Sequence, residues 1–370
     1  MPLTPSHPMQ PSVRFFLFTC RNPENDFRRP LVDALRKHHE VYYIRMRRRP
    51  VVVGPDRASQ VAEMSLTGLV KFLAGHNESG KINIYFNSTD TSFPGLMLFL
   101  RSVARPGVWC LDVHDDLRYN YRGLARVRRT IAIALLSMSS HIVVRAAPTL
   151  SELFPKSHRL GNASHILPLS HEGGDLRDVL ILTSFDARFD FDFVERLAAA
   201  RAETRFHVHG WTRDGDPESS RRMSKLVSEH ANILYHGPYT TDDLPAILKG
   251  YRVTVAPYRV NSSLTRHIDP LRFYHCLNAG LEVISTEIAQ AKSMTSWIHV
   301  VRDAEQCAET LKRIQAGEVA KRHNYTPITW DQRASRLIDI VNSSERTKRL
   351  RARRGGDDFQ SQAAAQTEHI

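Results

Sequence analysis

The stretch VTVAPYRVNSSLTRHIDPLRFYHCLNAGLEVIST, residues 253–286, decides the fold. Val253 to Ala256 is a short apolar run of the kind that forms a strand covered on both faces. Asp269 followed by Pro270 predicts a helix start, because Asp can cap free N–H groups and Pro suits the first helical position. The helix carries Leu271, Arg272, Tyr274 and His275, and Gly280 ends it where a left-handed residue is needed. Glu282 to Ser285 is a strand again. A helix that begins just past the carboxyl end of a parallel strand aims its free N–H groups at the crevice beyond the sheet. That is a ready site for a nucleotide diphosphate, and Arg272 in the first turn adds a charge-assisted contact. The same features also fit an ordinary α/β unit with a well-capped helix.

The strand–helix rhythm extends both ways from this stretch. Before it come strand candidates at 178–183, 206–209 and 232–235, and after it one at 299–301. An earlier series begins with VRFFLFTC (13–20), EVYYIRM (40–46), INIYF (82–86), VWCLDV (108–113) and HIVV (141–144). Helices are expected over 28–38, 58–74, 93–104 and 122–138. Continuous apolar strands separated by helices indicate parallel sheets covered on both faces. The two series meet at HRLGNASHILPLSHEGGD (158–175), rich in Gly, His and Ser. The expected organisation is a disordered 1–12, an N-terminal domain over 13–170, a C-terminal domain over 171–328, a returning helix over 329–345 and a disordered basic tail over 346–370. The fold class is α/β, with two Rossmann-like domains facing each other across a cleft.

The chain has 370 residues and a formal net charge of +12. Residues 1–170 hold 23 Lys/Arg against 12 Asp/Glu, whereas residues 171–345 hold 22 against 24. The excess therefore sits in the first half and in the tail, and in the first half it clusters at Arg45, Arg47, Arg48 and Arg49 and at Arg122, Arg126, Arg128 and Arg129. Such patches favour an anionic partner, here a membrane surface, although a generally basic soluble surface gives the same count. No recognisable nucleic-acid module accompanies them, so nucleic acid is not an expected partner. No apolar run approaches the ~20 residues that span a bilayer, and the chain is expected in the cytoplasm. Cys20, Cys110, Cys276 and Cys307 show neither C-x-x-C nor metal-ligand spacing. The D-x-D triplets Asp190–Asp192 and Asp214–Asp216 open a helix and sit in a loop, which argues against metal binding. No G-x-G-x-x-G follows the first strand, which disfavours dinucleotide oxidoreductases.

The 253–286 stretch resembles the donor-domain signature of bacterial GT-B glycosyltransferases of the family 1/4 type. That signature is an apolar strand ending in Pro-aromatic-Arg, a loop, D-P-x-K-x-x-E-Y-x-A-x-G, and a strand with Val and Ser/Thr. This chain supplies Pro257-Tyr258-Arg259, Asp269-Pro270, Tyr274, Ala279-Gly280 and Val283 to Thr286. NILYHGPYTTDDLPAIL (232–248), TSFDARFDFDFVERLAAA (183–200) and TWDQRASRLIDIV (329–341) resemble flanking parts of the same domain. Two positions depart from the signature: Arg272 replaces Lys and keeps the charge, and His275 replaces the Glu that meets a ribose. The glucuronosyltransferases of xanthan assembly are similar here and also lack that Glu. The resemblance implies a donor site of Tyr258, Arg259, Asp269, Pro270, Leu271, Arg272, Tyr274 and His275, with Arg188 able to reach the diphosphate and no metal or other cofactor.

The candidate general base is in the first domain. VWCLDVHDDLRYN (108–120) is a strand ending in Asp112, His114, Asp115 and Asp116. Displacement at an anomeric carbon needs a group that takes the acceptor hydroxyl proton, and a carboxylate crowded by acids can do so. The xanthan likeness points to Asp115, with His114 or Asp116 next. These acids could equally cap the loop and pair with Arg118 or Arg122. The implied activity is metal-independent transfer of a hexosyl or glucuronosyl group from a nucleotide sugar, with uridine diphosphate the expected carrier. The expected acceptor is a lipid-linked saccharide at the inner membrane face, in surface or exopolysaccharide synthesis. The rival readings are a nucleotide-sugar epimerase and a non-catalytic glycan- or partner-binding protein on the same fold.

Overall fold

The computed structural model describes residues 13–21, 26, 28–55, 60–61, 63–78, 81–89, 94–103, 106–116, 118, 121–169, 175–212, 216–260, 262–319 and 325–353. The expected disorder of 1–12 lies outside them. The chain divides into two units: Met1–Ala146, Ser151–Leu160 and Asp331–Ile370 form the first, Ala147–Leu150 and Gly161–Trp330 the second. The change-over expected at 170 falls at Leu160.

The first unit is built on an eight-stranded sheet. Its order is β4 (Gln60–Val61), β3 (Val51–Val53), β2 (Glu40–Arg45), β1 (Val13–Thr19), β5 (Ile82–Ser88), β6 (Val108–Val113), β7 (Ile142–Arg145) and β8 (His158–Arg159). From β2 to β8 neighbouring strands run parallel, and β3 and β4 add an antiparallel edge. Register places Tyr42, Phe16, Tyr85 and Trp109 beside one another on four adjacent strands. Their rings stack in turn with centroids 5.3, 5.2 and 4.7 Å apart. Each such pair adds about 0.5–1.5 kcal/mol beyond area burial. The helices are α1 (Arg29–Arg36), α2 (Leu66–Gly75), α3 (Pro94–Val103) and α4 (Gly123–Ser139). The helix expected over 58–74 is thus corrected: α2 starts at Leu66, where Ser65 caps it by accepting the Gly68 N–H.

The second unit carries a six-stranded, wholly parallel sheet. Its order is β11 (Ile233–Gly237), β10 (Arg205–Thr212), β9 (Asp178–Phe185), β12 (Val253–Ala256), β13 (Glu282–Thr286) and β14 (Ile298–Val301). Both faces are covered, so successive β9 residues enter different cores. Val179 and Ile181 pack with α5 (Phe191–Ala200), α6 (Pro217–Glu229) and α11 (Ala304–Gln315). Leu180 and Leu182 pack with α7 (Leu244–Lys249), α9 (Leu271–Ala279) and α10 (Ala289–Lys292). A short α8 (Ser263–Arg266) precedes α9. The strand order reverses between β9 and β12, and ligands of such sheets bind past the carboxyl ends of the strands at that point.

Helix α12 (Trp330–Ser343) passes into the first unit, where Lys37 and Asp331 form an ion pair at 2.7 Å. Helical structure resumes over 345–353, and Thr347 and Leu350 are buried. The disordered tail expected from 346 is corrected accordingly, because apolar and hydroxyl groups at helical spacing find cover there. Among the described residues, no helix is long and apolar enough to cross a membrane.

Candidate functional site

At the switch point of the second sheet, β9 ends at Phe185 and β12 at Ala256. The loops beyond them are tied together: Phe189 and Tyr258 form an antiparallel bridge, the Arg259 N–H donates to the Arg188 carbonyl at 2.8 Å, and the Asp190 N–H donates to the Pro257 carbonyl at 3.0 Å. The buried Thr286 Oγ1 at the end of β13 accepts the Tyr258 N–H and donates to the Tyr258 carbonyl. Gly210, on the next strand, leaves no room for a side chain, since a Cβ there would lie 2.5 Å from the Thr183 carbonyl.

Beyond this edge α9 begins, and the structure revises its start. Pro270 is the N-cap residue, with no side-chain cap, and no acidic residue occupies the first turn. Asp269 does not cap the helix. It is buried, with one oxygen accepting the Asn162 N–H at 2.7 Å and the other the Tyr274 hydroxyl at 2.8 Å. Tyr274 is buried as well and touches Gln290. Both residues of the expected donor site therefore brace the helix from within. Asp269 turns inward to meet donors already buried there. The helix ends as predicted, with Gly280 at φ 91°.

Arg272 and Leu271 are half-buried in the first turn. The Arg272 guanidinium lies over the Tyr258 ring, 5.0 Å from its centroid, and forms no ion pair with a described residue. Arg188 is engaged differently, with a bidentate contact to Asp186 at 3.1 and 2.6 Å. Burial raises the Asp186 pKa, but Arg188 and Arg272 outweigh it and hold the carboxyl below its ordinary value. Arg259 is exposed beside them. Burial pushes the Tyr258 and Tyr239 hydroxyls up, Tyr239 to about 12, so both stay protonated. His275 Nδ1 meets Ser164 Oγ at 2.7 Å, and the ring lies edge-on to His165. Burial, then His165 and Arg272, lower the His275 pKa to about 3. It is a neutral imidazole at any working pH, and Nε2 is the ring atom left to meet a ligand hydroxyl.

The two D-x-D triplets serve as helix caps. Asp190 accepts the Phe193 N–H at 3.1 Å and Asp216 the Ser219 N–H at 3.2 Å, Asp192 pairs with Arg222, and Asp214 lies outside the described residues.

In the first unit, the acids after β6 separate into two environments. Asp112 is fully buried and is gripped by Arg28 at 2.9 and 3.0 Å, with His114 Nε2 at 2.9 Å. Burial raises its pKa, yet Arg28 and His114 hold it below the ordinary carboxylate value. Asp26 is fixed nearby by Thr19, Tyr43 and the Arg28 N–H. Asp116 is bound at 2.6 Å by both arms of Arg118. Asp115 faces an open recess of about 260 Å³, lined also by Thr130, Ile133, Met138, Leu153 and Phe154. From sequence, Asp112 stands in the acid cluster at the end of the strand, and Arg28 is not singled out. A charged residue inside VWCLDV signals a buried counter-ion, but its partner lies 84 positions earlier in the chain.

No protein-family model matches the chain, and no curated protein matches it in sequence. Solved structures match it over nearly its whole length. The catalytic domain of starch synthase IV from Arabidopsis thaliana, bound to ADP and acarbose, is 11% identical with a TM-score of 0.63, over 90% of this chain and 99% of that one. Sucrose-phosphate synthase from Thermosynechococcus elongatus is 15% identical with a TM-score of 0.60, over 95% and 100%. HepE from Anabaena, in complex with UDP and glucose, is 11% identical with a TM-score of 0.58, over 91% and 98%. Likeness at these identities establishes architecture, and the chain has the GT-B fold of two Rossmann-like α/β units.

Proposed function

We propose that the chain is a glycosyltransferase that takes a sugar from a nucleotide donor, with UDP the expected carrier, and places it on a lipid-linked saccharide. The observation that carries this reading is Arg272. It is stacked on Tyr258, makes no ion pair among the described residues, and stands at the acid-free start of α9, past the carboxyl edge of the sheet at its switch point. A helix N-terminus with a cation in its first turn suits a diphosphate leaving group. Neutral His275 then meets a ribose hydroxyl through Nε2. Structures of similar fold were solved with UDP, UDP-glucose and ADP.

On this reading Asp115 takes the acceptor hydroxyl proton as the hydroxyl oxygen bonds to the anomeric carbon. The nucleoside diphosphate departs with the electron pair of the broken bond, and its charge is met by Arg272 and the α9 N–H groups. No metal is needed for that step. The transferred group is a hexosyl or glucuronosyl unit, and the place of action is the cytoplasmic face of a membrane, in surface or exopolysaccharide synthesis.

The test is thermal stabilisation by a panel of nucleotides and nucleotide sugars, with and without chelator. UDP or one of its sugars should raise Tm by mass action, chelator should change nothing, and Arg272→Ala should abolish the shift. Asp115→Asn should keep the shift and lose about 100- to 10,000-fold in turnover. A folded protein that no nucleotide stabilises would move the reading to a non-catalytic binding protein.

A further inference from the structure

Helix α4 is apolar on two opposite sides. One side packs inward through Ile133 and Leu136. The other presents Leu124, Val127, Ile131, Leu135 and Met138 to solvent, exposed at 82, 53, 54, 46 and 83%. At 100° per residue these five fall within an arc of about 80°, opposite the buried side. Scattered exposed apolar residues are ordinary, but a contiguous stripe of five on one helix marks a surface that another phase or molecule covers.

The charges around the stripe identify what covers it. Arg122, Arg126 and Arg128 are exposed at the N-terminal end of the helix, and no Asp or Glu occurs between Asp116 and Glu152. Most of the basic excess of the chain lies in this half. An apolar stripe whose charged neighbours along its own helix are all cations suits the surface of an anionic bilayer, where the side chains enter the acyl boundary and the arginines meet phosphates. A protein partner would require acids facing the same arginines. The flank of α4 between the stripe and the core adds a functional link: Thr130, Ile133, Ala134 and Ser137 line the recess that holds Asp115, and Met138 at the end of the stripe borders it.

We propose that α4 is an interfacial docking helix that seats Leu124, Val127, Ile131, Leu135 and Met138 in an anionic phospholipid surface and so brings the Asp115 recess to a membrane-held acceptor. The docking stands on the helix alone, and the delivery to Asp115 rests on the function proposed above.

The experiment is co-sedimentation with vesicles of phosphatidylglycerol and phosphatidylcholine, against vesicles of phosphatidylcholine alone. The protein should partition onto the anionic vesicles, and Val127→Glu with Ile131→Glu should reduce that partition by about ten-fold or more. Leu124→Trp should show a blue-shifted emission on the same vesicles, which a purely electrostatic contact would not give. UDP stabilisation of the double variant should match wild type, separating failure of docking from failure of the donor site. Equal partition of the double variant, or an unshifted Leu124→Trp emission on bound protein, would overturn the proposal. So would a wild-type dimer in sedimentation equilibrium that the double variant abolishes, since a second copy would then be the occupant.

Discussion

Asp112 stands at a position where every neighbour along the strand is buried. A carboxylate there survives only as a charge because Arg28 closes on it with two hydrogen bonds and His114 adds a third contact. The pair is 3 and 0% exposed, so solvent does little screening. Removing one partner leaves an uncompensated buried charge, and Arg28→Ala should cost about 3–5 kcal/mol of stability in urea unfolding. Replacing both, as Arg28→Met with Asp112→Leu, should recover most of that loss, because an apolar pair of similar volume needs no solvation. If the double variant were as unstable as the single one, the pair would be serving a structural need beyond charge balance. Asp112 also shows how far a residue can be read from sequence. Its presence in an apolar run announces a partner, whereas the partner's identity depends on the loop after β1 reaching across β5 to β6.

At the scale of elements, the strands were legible because both faces of each sheet are covered, which turns a strand into an unbroken apolar word. VRFFLFT, VWCLDV and DVLILTSF are such words, and each is a strand. The stretch 51–61 was not legible. Val51 to Val53 is a strand because β2 turns back through Arg47–Arg49 and supplies hydrogen-bond partners, and strand preference at an edge depends on such neighbours. Helix α9 was read correctly at its end and incorrectly at its start. Gly280 has a local reason, its positive φ, while the inward turn of Asp269 depends on Asn162, 107 positions away. Two glycines of the second unit should differ on substitution. Gly280→Ala meets the left-handed backbone penalty, about 1–2 kcal/mol. Gly210→Ala drives a Cβ against the Thr183 carbonyl at 2.5 Å, where no flexible side chain can give way. It should cost more stability than Gly280→Ala and weaken nucleotide binding by shifting β10 from β9. Denaturation midpoints and nucleotide titrations of the two variants check the order.

At the scale of the molecule, two units with separate sheets divide the proposed chemistry between them. The sequence showed that division as two series of strand words and a change in charge balance. It could not show that the β9 and β12 loops are bridged, since that follows from strand order and not from local pattern. This division makes the response to a nucleotide local. A diphosphate held by α9 and Arg272 should slow amide exchange in Ser184–Asp190, Pro257–Val260 and Leu271–Cys276, the segments that frame the switch point. The strands β1 and β5 belong to the other sheet, so UDP held by the second unit should leave their exchange rates unchanged. Hydrogen exchange read by mass spectrometry, with and without saturating UDP, separates the two cases. Protection confined to the first unit would place the nucleotide at the Arg28–Asp112 end of the chain and remove Arg272 from the donor site.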